Sequence, residues 1–106
     1  MARIEKDMIA VIFRSTRNAD DGAGYAEAAA QMARRAALQP GYVGVESVRE
    51  PGGAGITISY WADEASALAW RDDAEHRRIR EAGRARWYDD YSVVVARVER
   101  SYDWAR

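Results

Sequence analysis

The chain contains no cysteine, and this absence removes several kinds of chemistry at once. Without thiols there can be no disulfide, thiolate nucleophile, cysteine-based zinc site or iron–sulfur cluster. Only one histidine, His76, is present, and nothing marks a serine near it as the nucleophile of a Ser-His-Asp triad. Paired aspartates occur at 20–21, 72–73 and 89–90, but no single loop gathers enough oxygens for a hard cation. The sequence therefore predicts no metal site.

Long apolar runs and an excess of one charge are also missing. No run approaches the ~18 residues of a membrane span, and the apolar stretch near the N-terminus lacks a signal-peptide cleavage site. Sixteen basic and seventeen acidic residues leave a net charge of -1, so there is no basic field to attract nucleic acid. The glycine-rich segment 52–55 leads into a strand rather than a helix, which argues against a phosphate loop. We expect a cytoplasmic protein without membrane or nucleic-acid partners.

The residue pattern predicts one domain over 1–106 with an α+β fold. A hydrophobic content of 48% and a charged content of 31% are typical of a soluble globular chain. Apolar periodicity and turn residues divide the chain into alternating elements. These are a strand at 8–13, a helix at 25–38, strands at 42–48 and 56–61, a helical region from a cap at Asp63 to 87 with a break at 72–73, and a strand at about 91–99. The order β-α-β-β-α-β is that of a ferredoxin-like antiparallel sheet with helices on one face.

The first and last strands are apolar on both faces, which has a consequence for assembly. Residues 8–13 and 93–96 carry almost no polar side chains, as in strands that are covered on both sides. Two helices can cover only one face of a four-stranded sheet. A second copy of the chain, packed sheet against sheet, is the simplest cover for the other face. We therefore expect a homodimer.

The second half of the chain concentrates the residues that could form a site. His76, Arg80, Gly83 and Trp87 lie at i, i+4, i+7 and i+11, and on one helix they would share a face. Above a gap left by the glycine, the arginine would hold a planar phenolate or enolate and the imidazole would take up its proton. The alternative is a capped helix in which His76 is hydrogen-bonded to one of the aspartates at 72–73 or to a backbone carbonyl.

The strand at 56–61 offers a second set of candidates. Thr57, Ser59 and Trp61 share one face, and the two small polar side chains would leave room beside the indole for a ligand. The alternative is that Trp61 belongs to the core and the hydroxyls bond the backbone. Trp70 is equally consistent with core and with a pocket wall. Five residues are thus candidates for substrate binding: Trp61, Trp70, Thr57, Ser59 and Trp87.

Several motifs resemble the antibiotic biosynthesis monooxygenase superfamily, and most closely its small, mostly uncharacterised bacterial branch. They are the order of the strands, the Gln-Pro-Gly-Tyr element at 39–42, the Ser-Tyr-Trp strand end at 59–61, the spacing of Trp70 and His76, and the sequence GRARWYDDYSVVVARVER. The resemblance covers about 8–103 and implies a dimeric α+β barrel. It also implies a range of activities, since members include cofactor-free oxygenases of polyketide quinols, haem-degrading oxygenases and proteins without known chemistry.

Carried over by position, the resemblance assigns some site residues and not others. The tryptophan and arginine of the quinol-oxidising members correspond to Trp61 and Arg80, but their strand asparagine falls at Thr57. Of the haem-degrading set only Trp70 matches, because residues 13–14 include no asparagine and the histidine position falls near Arg80. We therefore expect no cofactor, with haem disfavoured.

These observations lead to one main hypothesis and its alternatives. The chain would be a homodimeric, cofactor-independent monooxygenase of a planar aromatic or quinol, with His76 and Arg80 as catalytic residues. Trp61 and Trp70 would line the same pocket between the sheet and the second helical region. The alternatives are a non-catalytic dimeric ligand-binding module of the same fold and a haem-binding protein.

Overall fold

A computed structural model describes residues 3–18, 22–51 and 53–106, with the side chains of residues 74 and 75 excluded. Four strands form one antiparallel sheet in the order β2-β3-β1-β4. The predicted ferredoxin-like α+β fold is therefore confirmed. The elements are β1 (Ile9–Arg17), α1 (Gly22–Ala37), β2 (Tyr42–Arg49), β3 (Ala54–Trp61), α2 (Glu64–Asp72), α3 (Ala74–Ala82), a π-helical turn (Gly83–Trp87) and β4 (Tyr88–Arg97).

Strand register divides the sheet into an inner face, on which the helices pack, and an outer face. Ile9 lies opposite Trp61, and Val11 lies opposite Ser59; directly opposed residues of antiparallel strands project to the same side. Helix residues pack on this side, where the main core cluster forms. Its buried members are Ile9, Ala36, Trp61, Ala67 and Trp70.

The outer face carries apolar side chains that a single chain leaves accessible. Val48 is 71% exposed, Val94 43% and Ile56 40%, and the register sets all three on the side opposite the helices. The predicted second copy would cover these side chains. No helix of the described residues is long and apolar enough to cross a membrane.

The elements differ from the predicted ones mainly at their ends. β1 continues to Arg17 because its polar second half is paired on both sides, by β3 and by β4. The first helix begins at Gly22 instead of 25, and β4 begins at Tyr88 instead of 91. The cap at Asp63 is confirmed, since its Oδ1 accepts a hydrogen bond from the Ser66 N–H at 2.8 Å.

The expected continuous helix to 87 is replaced by α3 and the π-helical turn. A π-helical turn contains more residues than an α-helical turn, so Trp87 does not continue the face set by His76 and Arg80. A Cβ at Gly83 would lie only 2.8 Å from Cε2 of Tyr88. The gap at Gly83, which the sequence suggested for a ligand, is therefore filled by the Tyr88 ring.

Candidate functional site

Three aromatic rings form a stacked column that runs from the sheet into the helical layer. Trp61, at the end of β3, has no exposed surface, and its ring stacks on Trp70 with centroids 5.8 Å apart and planes 26° apart. Trp70, on α2, stacks in turn on His76 of α3 at 4.2 Å and 15°. We call these three residues the ring column. It brings together three of the site residues that the sequence predicted.

The break between α2 and α3 folds His76 back over Trp70. The Asp73 N–H donates to the Trp70 carbonyl at 3.2 Å and ends α2. The Asp73 carboxylate then accepts from the backbone N–H of His76 at 3.0 Å, as an N-cap residue does at the start of a helix. One aspartate thus ends the first helix and starts the second.

The imidazole of His76 is held in one tautomer. Its Nδ1 lies 2.9 Å from the Trp70 carbonyl oxygen, and because a carbonyl only accepts, Nδ1 carries the proton in the neutral ring. Nε2 is left with a free lone pair that can take up a proton. Burial lowers the pKa of His76 and nearby Arg80 lowers it further, whereas the bond to Trp70 and the Asp73 charge raise it. The net shift is downward, so the ring is a neutral base at pH 7.

Arg80 lies one helical turn after His76 and supplies a cation with an unused donor. Its Nε is buried and has no hydrogen-bond partner within the described part of the chain. A buried guanidinium N–H without an acceptor is unfavourable. An anionic oxygen entering beside His76 would supply that acceptor and a compensating charge.

The hydroxyls of β3 bond to other side chains rather than to the backbone. The Trp61 indole N–H donates to Ser59 Oγ at 3.0 Å, and Thr57 Oγ1 lies 2.6 Å from Ser47 Oγ on β2. The expected room beside the indole is absent, since Trp61 is completely enclosed. The one polar group of the Trp61 side chain, the indole N–H, is already hydrogen-bonded to Ser59.

Trp87 lies in a second core cluster, so the expectation that it shares a pocket with the other candidates is wrong. It packs with Ala28 and Ile79, and its ring meets Tyr25 edge-on at 5.8 Å. The physical reason is the π-helical turn, which changes the direction of the side chain. Trp87 is 6% exposed and serves here as a core residue between α1 and α3.

Two charged residues outside the predicted site set belong to this region: Asp73, which the sequence suggested only as a hydrogen-bond partner of His76, and Arg35, which it did not indicate. Arg35 of α1 contacts Asp73 Oδ2 through Nη2 at 3.3 Å and through Nε at 3.4 Å. The Asp73 side chain is 11% exposed and that of Arg35 49%. The partners are 38 residues apart in sequence, so no local spacing could have indicated the pair.

A surface depression of about 380 Å³ lies away from the ring column. Register puts most of its lining side chains on the outer face of the sheet. They include Arg14, Thr16, Ile56, Asp90 and Ser92. The ring column lies on the opposite side of the sheet.

Comparison with known proteins assigns the chain to a family. The family model for antibiotic biosynthesis monooxygenase matches residues 8–82. The uncharacterised protein YqjZ of Bacillus subtilis (strain 168) is 48% identical over 96 residues, which cover 91% of this chain and 83% of that protein.

Solved structures share the fold at low sequence identity. SnoaB from Streptomyces nogalater, a cofactor-independent oxygenase, matches with a TM-score of 0.76 at 20% identity, over 90% of this chain and 96% of SnoaB. A conserved protein from Methanosarcina mazei Go1 matches with a TM-score of 0.76 at 11% identity, over 85% and 91% of the two chains. These structures support the fold, and the family model and the Bacillus relative span most of the sequence. The chain therefore belongs to the antibiotic biosynthesis monooxygenase family.

Proposed function

We propose that this chain is a cofactor-independent oxygenase of a planar aromatic or quinol substrate, which binds beside His76 and Arg80 between the sheet and the helices. The observation that carries the proposal is the buried Nε of Arg80, which has no hydrogen-bond partner among the described residues, next to a histidine that is neutral at pH 7. A phenolate would satisfy the guanidinium, and its proton would go to Nε2 of the imidazole. SnoaB, which shares the fold, is a cofactor-independent oxygenase.

The proposed reaction needs no reductant other than the substrate. His76 Nε2 removes a proton, and Arg80 stabilises the resulting anion. The deprotonated ring gives two electrons to O2 and forms a carbon–oxygen bond, and the peroxide oxygen regains the proton from His76. The same carbon then loses its C–H proton to His76 as the O–O bond breaks; the released hydroxide and this proton form water, and a carbonyl is left on the substrate. One oxygen atom enters the product and the other leaves as water.

The energetics of the proton transfer show why both residues are needed. A phenol with a pKa of about 10 differs from an imidazole at or below 6.5 by at least ~3.5 units, which is about 5 kcal/mol. A charge pair at ~4 Å contributes about 4 kcal/mol at an effective dielectric constant of ~20. The attraction between Arg80 and the phenolate is therefore of the same magnitude as the cost of the transfer.

Oxygen consumption with dihydroquinones tests the proposal directly. We expect Arg80→Met to lose about 100-fold or more in kcat/KM, as on removal of a transition-state donor. Arg77→Met, which removes an exposed arginine of the same helix, is the matched control and should retain activity. His76→Phe keeps a ring in the column but removes the base, so it should also be inactive.

The same assay separates the proposal from its alternatives. In one outcome, the quinone binds and quenches tryptophan fluorescence while its reduced form, the dihydroquinone, causes no oxygen uptake. This result would contradict the oxygenase and favour a ligand-binding module. Haem added with a reductant should keep its Soret band for an hour. Catalase-resistant bleaching of that band would contradict cofactor independence.

We further propose that the active form is a homodimer. The exposed apolar side chains of the outer face support it, as do two aromatic side chains near the C-terminus: Tyr102 is 88% exposed and Trp104 78%. Large aromatic residues are enriched in protein interfaces. Light scattering should give about twice the chain mass of 11.9 kDa, and a folded monomer at micromolar concentration would contradict the dimer.

A further inference from the structure

We propose that Asp73 and Arg35 form a positioning pair for His76, in which the carboxylate fixes the histidine and the arginine offsets the carboxylate's charge. The inference deepens the proposed function, on which its catalytic meaning rests. It assigns a role to two residues outside the set that would touch substrate. The role is to control how readily the imidazole takes up a proton.

The geometry centres on the Asp73 residue. Its N–H and the His76 Nδ1 both bond to the Trp70 carbonyl, at 3.2 Å and 2.9 Å. Its Oδ1 accepts from the His76 backbone, and its Oδ2 faces Arg35. The position and the electrostatic environment of His76 therefore depend on the same side chain.

Among the described residues, the charges that we consider for His76 lie on three elements. Asp73, at the junction of α2 and α3, stabilises the imidazolium, and Arg80 on α3 destabilises it. Arg35, reaching across from α1, contacts the carboxylate at 3.3 Å and so neutralises part of its effect. The Trp70 carbonyl, at the end of α2, favours the protonated ring through its bond to Nδ1. The ion pair and Arg80 thus act on the same base.

Opposite effects follow for the two members of the pair. Removing the Arg35 charge takes away a cation that contacts the Asp73 carboxylate at 3.3 Å, so the pKa of His76 should rise. Removing the Asp73 charge takes away the stabilising anion, so the pKa should fall. A pair that only joined α1 to the helix junction, without acting on the imidazole, would give shifts no larger than that of a control arginine.

The chain offers an unusually direct measurement, because His76 is its only histidine. Proton NMR of the imidazole gives one titration curve without assignment, on the free protein and without substrate. Arg35→Gln should move this curve to higher pH and Asp73→Asn to lower pH. Arg35→Lys, which keeps the charge, should stay close to the wild type. Arg34→Gln, which removes the neighbouring exposed arginine of α1, is the matched control.

The ring-current shift of the imidazole protons by Trp70 shows whether the stack survives in each variant. Shifts of opposite sign, each larger than that of Arg34→Gln, support the pair. Shifts no larger than the control, or of the same sign, overturn it. If Asp73→Asn does not fold, the comparison of Arg35→Gln with Arg35→Lys still decides the matter. Titration shifts of opposite sign without oxygen uptake would support the positioning pair and contradict the oxygenase. Oxygen uptake without such shifts would support the oxygenase and contradict the positioning pair.

Discussion

Replacing Ser59 with alanine should destabilise the protein through a group on a different residue. Ser59 Oγ is the acceptor for the Trp61 indole N–H at 3.0 Å. Because Trp61 has no exposed surface, water has no access to replace the lost acceptor. Ser59→Ala therefore leaves the buried indole N–H of Trp61 without an acceptor. A small change on β3 thus affects the innermost ring of the column.

The expected size follows from the cost of an unsatisfied buried donor, about 1–3 kcal/mol. For a chain of this length, ~1 kcal/mol corresponds to a shift of about 4–8 °C in Tm. The test is a double-mutant cycle with Trp61→Phe, which has no N–H to satisfy. In the Trp61→Phe background, Ser59→Ala should change the free energy of unfolding by no more than about 0.5 kcal/mol. The coupling energy between the two positions should therefore be about 1–2 kcal/mol.

Urea unfolding of the four proteins, at one fixed protomer concentration, measures the coupling. Thr57→Val, which removes the neighbouring hydroxyl on the same face, is the control and should give no coupling with Trp61→Phe. A coupling near zero for Ser59 would refute the argument. It would mean that the indole N–H finds another acceptor or that Ser59 does not orient the ring.

Three further predictions concern pH, packing and assembly. The folded-state pKa of His76 is lowered, so the unfolded chain takes up its proton first and stability should fall as pH drops below about 6.5; His76→Phe should reduce this loss in urea unfolding between pH 7.5 and 5.5. Gly83→Ala should lower Tm by up to roughly 10 °C, because its Cβ would crowd Tyr88. Gly22→Ala, with no atom of the described residues within 4 Å of the added Cβ, should not lower it. Val94→Asp should give monomers or unfold the chain, and light scattering with circular dichroism that still showed a folded dimer would contradict the proposed interface.

The fold could be predicted because its signals are local and repeated. The alternating strands, the Asp63 cap and the break at 72–73 each depend on residues close in sequence, and together they fix the order of elements. The ends could not be predicted as well. The polar residues 14–17 stay in β1 only because two neighbouring strands pair with them, which is a tertiary effect.

Sequence spacing singled out the residues of the candidate site but not their arrangement in space. Helical spacing brought His76 and Arg80 to one face, and strand alternation brought Ser59 to the side of Trp61. The π-helical turn at 83–87 carries no clear sequence signal, so the expected place of Trp87 was wrong. The ion pair of Arg35 with Asp73 joins distant segments and depends on how α1 packs against the helix junction.

The packing of the ring column also determines which groups remain for a ligand. Thr57 stands where quinol-oxidising relatives are expected to have an asparagine, and its hydroxyl contacts Ser47. The Trp61 N–H is committed to Ser59, so neither strand residue offers the donor that the resemblance would suggest. On the proposed function, polar recognition would fall to the helical side, to Nε2 of His76 and to the buried Nε of Arg80, which has no acceptor within the described part of the chain. If this chain is an oxygenase, its selectivity for the anionic form of the substrate must depend on α3.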